Sequence, residues 1–200
     1  MSVSWQTLDS TATAASGDYV AASGTINLSP KTPSATLTVL VNGDAQNEAD
    51  ERFQVRLSSP TNATIADNLG IATILNDDAV PSISIGDVQV TEGNSGTIAA
   101  VFAVTLSNPT DQTVTVHYQT ADNTATIANA DYVTAAGNLS FPPLALSATV
   151  TVTVNGDTKR EGNETFLVNL SAPTHATLAD GQGVGTITTT TRCRVRRSTT

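Results

Sequence analysis

The stretch Thr149-Val150-Thr151-Val152-Thr153-Val154-Asn155-Gly156-Asp157 alternates apolar and polar residues and then breaks into turn chemistry. Residues 36–44, Thr36-Leu37-Thr38-Val39-Leu40-Val41-Asn42-Gly43-Asp44, repeat the message almost letter for letter. Successive side chains of a strand point to opposite faces, so a period of two describes a half-buried strand. Gly, Asn and Asp end it because they tolerate the backbone angles of a turn. The recurrence matters as much as the pattern. A shift of 113 positions superposes residues 3–78 on 116–191 without a gap, and about half of the paired residues are identical, the mark of an internal repeat.

The repeat can be followed in detail. Asp18-Tyr19-Val20 falls on Asp131-Tyr132-Val133, Val41-Asn42-Gly43-Asp44 on Val154-Asn155-Gly156-Asp157, Phe53 on Phe166, and Pro60-Thr61 on Pro173-Thr174. In this register Met1 falls on Val114, so the first copy has no counterpart of residues 83–113, which carry two strand-like segments, 83–90 and 98–106. The second copy adds strand patterns at 114–120, 138–141, 148–154, 165–171 and 183–188, separated by clusters of Gly, Asn, Pro and Asp. Seven short strands in about 110 residues predict an all-β fold, an immunoglobulin-like β-sandwich. The expectation is two tandem domains, the first lacking its first two strands. That first unit is expected to be marginal alone, with an open sheet edge and part of an apolar face exposed.

The domain reading is a truncated repeat over 1–78, a linker over 79–82, a repeat over 83–188, and an aberrant tail over 189–200. Asn76-Asp77-Asp78-Ala79-Val80-Pro81 should recur at 189–194, where the chain instead reads Thr189-Thr190-Thr191-Arg192-Cys193-Arg194. The codons AAC GAC GAC GCG GTG CCG, read one base late, give this Thr-Thr-Thr-Arg-Cys-Arg, so the tail is expected to be a frameshifted linker. The alternative is a basic tail that binds an anionic surface.

Composition narrows the function. The 200 residues hold 18 Asp and Glu against 9 Lys and Arg, a net charge of -9. Without Arg192, Arg194, Arg196 and Arg197 of the tail, 5 basic residues face 18 acidic ones, leaving -13. Such a chain lacks the clustered cations that hold nucleic acid and favours cationic partners. No apolar run approaches the roughly 20 residues of a membrane helix, and the N-terminus lacks signal-peptide character, so neither membrane insertion nor export is expected from this stretch. The lone Cys193 can form no internal disulfide and no thiolate zinc site.

The acidic residues gather in particular loops. Glu92, Asp131, Asp157, Glu161 and Glu164 are the second copy's set; Asp18, Asp44, Glu48, Glu51, Asp77 and Asp78 are the first copy's. In a sandwich, loops after alternate strands share one end, where these carboxylates can converge. A hard cation bound by six to eight oxygens suits them, calcium before magnesium, which demands tighter octahedral geometry. The competing reading is that surface loops of an acidic protein are simply acidic and solvated.

Other signals carry less. Gly181, Gly183 and Gly185 precede a strand rather than open a helix, so they make no phosphate loop. His117 and His175 are not matched by His in the first copy and read as solvated. Trp5 and Tyr118 share a register and read as core. No serine sits in a nucleophile elbow and no carboxylate pair has a partnered His, so no enzyme is expected.

The ordered motifs Thr91-Glu92-Gly93-Asn94-Ser95-Gly96, Tyr118-Gln119-Thr120-Ala121-Asp122, Ala130-Asp131-Tyr132, Val154-Asn155-Gly156-Asp157 and Glu161-Gly162-Asn163-Glu164-Thr165-Phe166 resemble the Calx-beta family. The resemblance covers residues 82–188 and, truncated, 3–78. It implies a β-sandwich and, in calcium-sensing members, ligands from the early Glu, the Asp before Tyr, the acidic loop before Phe and a terminal Asp cluster. These match Glu92, Asp131, Asp157, Glu161 and Glu164 in the second copy, and Asp18, Asp44, Glu48, Glu51, Asp77 and Asp78 in the first. The first copy lacks the early Glu and the second lacks the terminal Asp pair, so neither set is complete. The Asp run is also sparser than in sensing members, which implies weaker binding, suited to millimolar extracellular calcium.

The expected function is a calcium-binding structural or adhesive repeat from a larger cell-surface or secreted protein. Its partners would be calcium ions, neighbouring repeats of an array, and protein or carbohydrate ligands. An ion at Asp77-Asp78 would tie loop to linker, where Pro81 adds stiffness. A calcium sensor that regulates an attached transporter or enzyme and a metal-free adhesion module are the alternatives. The frameshift reading has a direct test: sequencing the parent locus should uncover an acidic linker one base out of frame after residue 188, and no such linker in any shifted frame would sink it.

Overall fold

A computed structural model describes residues 1–32, 34–159 and 161–189. Cys193 and nearly all of the predicted aberrant tail lie outside the described residues. Strands account for all the regular structure there, and no helix is long and apolar enough to cross a membrane. The chain divides into two compact units, Met1–Asp78 and Ala79–Thr200.

Unit 1 holds four strands, β1 (Ser2–Leu8), β2 (Ser23–Asn27), β3 (Glu51–Thr61) and β4 (Leu69–Ile74). They form one antiparallel sheet in the order β2-β1-β3-β4. Unit 2 holds nine: β5 (Ser82–Ile85), β6 (Val88–Thr91), β7 (Thr97–Leu106), β8 (Val114–Asp122), β9 (Ala136–Phe141), β10 (Ser147–Asn155), β11 (Glu164–Thr174), β12 (Thr177–Asp180) and β13 (Gln182–Thr188). They form two sheets, β10-β7-β5-β12 and β6-β13-β11-β8-β9, closed over one core.

The core of unit 2 follows the alternation. Val150, Val152 and Val154 of β10 face Val114 and Val116 of β8 and Phe166 and Val168 of β11, all of them buried. Fully burying such a side chain contributes roughly 1.5–3 kcal/mol. At the centre the Phe102 ring of β7 meets Phe166 edge-on with centroids 5.8 Å apart, and Tyr132 stacks on Phe166 at 4.7 Å.

The predicted strand 83–90 is two strands. The chain breaks at Gly86-Asp87, β5 pairs with β7 in one sheet, and β6 crosses to the other and lies parallel to β13. Two contacts hold the crossing: the Gly86 N–H donates to the Ala103 carbonyl at 2.9 Å, and the Val184 N–H donates to Asp87 Oδ1 at 2.8 Å. Strand β12 has no counterpart among the predicted seven, because Thr177–Asp180 is short and exposed throughout and carries no readable alternation. Tyr118 is half-buried at the margin of the core, paired across the sheet with Gly137, as half-buried Trp5 is with Gly24.

Unit 1 is the lesser half of the same plan. Its sheet matches β8, β9, β11 and β13, but the opposing sheet does not form among its described residues. Residues 34–40 align with β10 yet make no strand, and Val41 makes only an isolated bridge with Tyr19. In unit 2, β10 pairs with β7 along its whole length, Ser147↔Thr105 to Asn155↔Thr97, and β12 pairs with β5. Without those partners a strand has no ladder to join, so 34–40 and 64–67 stay irregular. Val41 is 51% exposed where its counterpart Val154 is 0%. What remains buried is a small cluster built on Ala12, Tyr19 and Phe53.

The glycine at 185 answers to the same difference. Strand β13 passes the Phe166 ring so closely that a Cβ on Gly185 would lie 2.3 Å from it, while the Phe102 and Tyr132 rings also pack against that ring. Unit 1 has no counterpart of Phe102, and Ala72 stands in the glycine's place opposite Phe53. Gly185→Ala should therefore destabilise unit 2 by about 1–3 kcal/mol, the usual cost of overpacking a core. Denaturant unfolding would read this, and an unchanged unfolding free energy would contradict the packing described.

Candidate metal centre

Three segments build the acidic end of unit 2. The first leaves β6, where the Glu92 N–H donates to the Thr188 carbonyl at 3.0 Å. The second is the loop from Asp122 to Tyr132. The third leaves β10 through Asn155-Gly156-Asp157 and returns into β11 at Glu164.

Gly156 lets the first and third segments touch. A Cβ there would lie 2.3 Å from the Gly93 carbonyl oxygen, closer than any side chain permits. The Gly156 N–H donates to Gly96 O at 2.9 Å, which seals the approach and sets Asp157 beside Glu92.

The middle loop is pinned at both ends. Tyr132 Oη donates to Asp122 Oδ1 at 2.6 Å, and the same oxygen accepts the Ile127 N–H at 3.0 Å. Asp131 Oδ2 accepts the Thr126 N–H at 2.7 Å, and Asn155 donates to the carbonyls of Asp131 and Ala130 at 3.0 and 2.6 Å. Unit 1 repeats the device with Tyr19 on Asp9 at 2.6 Å, the Thr13 N–H on Asp18 at 2.6 Å and Asn42 on Gly17 at 2.5 Å. Asp9 and Asp122 were not among the candidate ligands read from the sequence, although Asp122 closes one of the quoted motifs and both stand ten residues before the Tyr of their copy.

These contacts gather the predicted carboxylates. Glu92, Asp157 and Glu161 each place an oxygen within 4.8 Å of the others, as do Asp131, Glu161 and Glu164, with Glu161 common to both groups. Glu92 and Asp131 are only 6% and 5% exposed. In unit 1, Asp18, Glu48 and Glu51 come together in the same way, half-buried. Asp44, Asp77 and Asp78 line the same recess without joining that trio. Asn47 and Asn76, absent from the sequence-based set, draw the end of the unit in by donating to the Asp78 carbonyl at 2.9 and 3.0 Å. Thr189 replaces Asn76 in unit 2, its hydroxyl donating to the Glu161 carbonyl at 3.3 Å.

Crowding shows in the acidities. Burial, followed by the charges of Asp157, Glu161 and Asp131, raises the Glu92 carboxyl above its ordinary value. Burial and the charges of Asp131 and Glu161 raise Glu164 as well. Burial also works to raise Asp18, but hydrogen bonds from Ser16 and Thr13 outweigh it and hold that carboxyl low. Lys159 enters the unit 2 cluster, 3.3 Å from Asp157 and 3.7 Å from Glu161, and its hydrogen bond to Asp157 raises its own value.

An all-oxygen, anionic set with two buried members suits a hard cation such as calcium, whereas soft metals prefer Cys or His. Residues Glu92, Asp131, Asp157, Glu161 and Glu164 would hold an ion in unit 2, and Asp18, Glu48 and Glu51, with Asp44, Asp77 and Asp78 nearby, in unit 1. A bound cation would offset the mutual repulsion of these groups.

The family model described as Calx-beta domain matches residues 1–79 and 76–192. Extracellular matrix protein 3 of Lytechinus variegatus is 31% identical over 147 residues, which is 70% of this chain and 5% of that protein, so the chain spans a small part of this relative. Among solved structures, the apo-form Calx CBD1 domain is 23% identical with a TM-score of 0.48, covering 56% of this chain and 99% of that one. The CBD12 structure from CALX1.2 is 21% identical with a TM-score of 0.47, covering 92% and 86%.

The raised Glu92 and Glu164 imply a pH dependence of definite sign. Between the ordinary Glu value and the raised folded one, the folded state holds more protons than the unfolded, so stability falls as pH rises through that window. In chelator, unit 2 should melt higher near about pH 5 than near about pH 7, and Glu92→Gln should lessen the difference. Identical pH profiles for the variant and the parent chain would refute this account of the crowding.

Proposed function

The chain belongs to the Calx-beta family, and from that premise we propose that it is a calcium-binding structural or adhesive repeat module of a larger cell-surface or secreted protein. The observation that carries this reading is the burial of Glu92 and Asp131 in one cluster with Asp157, Glu161 and Glu164. Buried carboxylates are ordinarily paired or bound to metal, because desolvating an unpaired charge is costly. Here five carboxylates meet at one end of the unit, and among the described residues Lys159 brings its ammonium to two of them, Asp157 and Glu161.

Unit 1 supports the same reading with a second set at the equivalent end, so the motif travels with the repeat. The likeness to an extracellular matrix protein supports a place outside the cell, among neighbouring repeats and protein or carbohydrate ligands. Ion binding in this role fastens loops rather than performing chemistry. It joins the segments at 92, 131 and 157–164, leaving the sandwich stiffer at the end where an array would continue.

Calcium titration by calorimetry, with melts in chelator and in millimolar calcium, tests the proposal on the full chain. At a tenfold excess of calcium over its dissociation constant, about 1.4 kcal/mol of added stability is expected. Asp131→Asn should abolish the unit 2 share of the heat and leave the unit 1 share. No heat and no melting shift in the parent chain would leave a metal-free structural or adhesive module in its place.

A further inference from the structure

The two acidic ends of this chain differ at one telling position. Lys159 stands where unit 1 has Gln46. Both residues sit in the same turn: the Lys159 N–H donates to Asp157 Oδ1 at 2.7 Å, and the Gln46 N–H donates to Asp44 Oδ1 at 2.7 Å. The backbone thus delivers the two side chains alike, and only their heads differ, an ammonium in one unit and a neutral amide in the other.

The ammonium goes into the cluster. Lys159 Nζ lies 3.3 Å from Asp157 Oδ2 and 3.7 Å from Glu161 Oε1, and it donates to the Asn129 carbonyl at 3.2 Å. Asp157 and Glu161 are the two carboxylates grouped with buried Glu92, and Asn129 belongs to the loop that carries Asp131. The lysine head therefore spans two of the three segments that build the site. In unit 1 the Gln46 amide hydrogen-bonds Glu48 and brings no charge.

We propose that Lys159 is a built-in counter-cation of the unit 2 site, competing with calcium for Asp157 and Glu161 and setting that site's affinity. The proposal rests on the calcium reading above. The ammonium and the ion draw on the same oxygens and repel each other, so binding requires Lys159 to swing away. Its side chain is 55% exposed, which gives it somewhere to go and keeps its hold modest. Unit 1 has no such competitor at Gln46. The lysine thereby makes unit 2 the site more sensitive to salt, since screening weakens the exposed ion pairs.

The test exchanges the two heads in the full chain. Calorimetry with calcium gives affinities, and the backbone amides of Gly156 and Gly43, followed by NMR, report each unit separately. Lys159→Gln should tighten unit 2 by about three- to ten-fold at low salt, Lys159→Arg should leave it near the parent value, and Gln46→Lys should weaken unit 1 by a similar factor. Equal unit 2 affinity in Lys159→Gln and the parent would overturn the competition while leaving the calcium reading intact. Equal tightening by Lys159→Gln and Lys159→Arg would overturn the role of charge. No calcium binding in either the parent or Lys159→Gln would overturn both readings together.

Discussion

A strand is a strand only beside another, and the pairing of β10 with β7 is the contact on which the sandwich turns. Nine residues of β10 meet nine of β7 without interruption. That ladder presents Val150, Val152 and Val154 to the opposite sheet, and β7 contributes Phe102, the ring that fixes Phe166 and hence Tyr132. Unit 1 offers the comparison. Its residues 36–41 keep the alternation of 149–154 except at Leu40, yet without a partner they make no strand, and Val41, whose counterpart is buried, stands half in solvent. Local preference proposes a strand; the neighbour decides it.

Unit 1 nonetheless keeps the supports of its acidic end, some within the loop and some from β3 and the Asn42 turn. Tyr19 stacks on Phe53 with centroids 4.3 Å apart and bonds Asp9, and Asp18 keeps its Thr13 contact, although no second sheet forms among the described residues of this unit. What unit 1 cannot reproduce is the contribution of Glu92, which depends on β6 lying beside β13 and on Gly93 pressing against Gly156. The site of unit 2 is thus layered. Hydrogen bonds from its own loop and from Asn155 place Asp131, and a close backbone approach brings in Glu92.

The legible part of this molecule was whatever repeats at fixed spacing. Alternation exposed β7, β8, β10, β11 and β13, and comparing the chain with itself exposed the two units and the recurrent carboxylates. The break at Gly86-Asp87 was passed over although it leaves a trace, a turn pair across which the apolar positions change phase from 83 and 85 to 88 and 90; what the trace does not say is that the second half joins the other sheet. β12 was hidden because an exposed edge strand has no apolar face to betray it. Asp122 and Asn76 were readable as repeated or replaced polar residues, but their roles are defined by Tyr132 and Asp78, and one sequence does not say which polar groups will meet. Lys159 stood in plain view as one of two lysines in the chain, and only the fold placed its head against Asp157.

The parallel pairing of β5 with β12 and of β6 with β13 has a mechanical meaning. The chain enters unit 2 through β5 and leaves through β13, so its first and last strands run the same way, each beside a strand from the other end of the unit. A pull applied at entry and exit slides these neighbours lengthwise past one another. The rungs of each ladder are then loaded together and must give way together, whereas a force that peeled the strands apart would break them singly. Under such a pull, the closure that completes the sandwich of unit 2 would also be the part that bears the load.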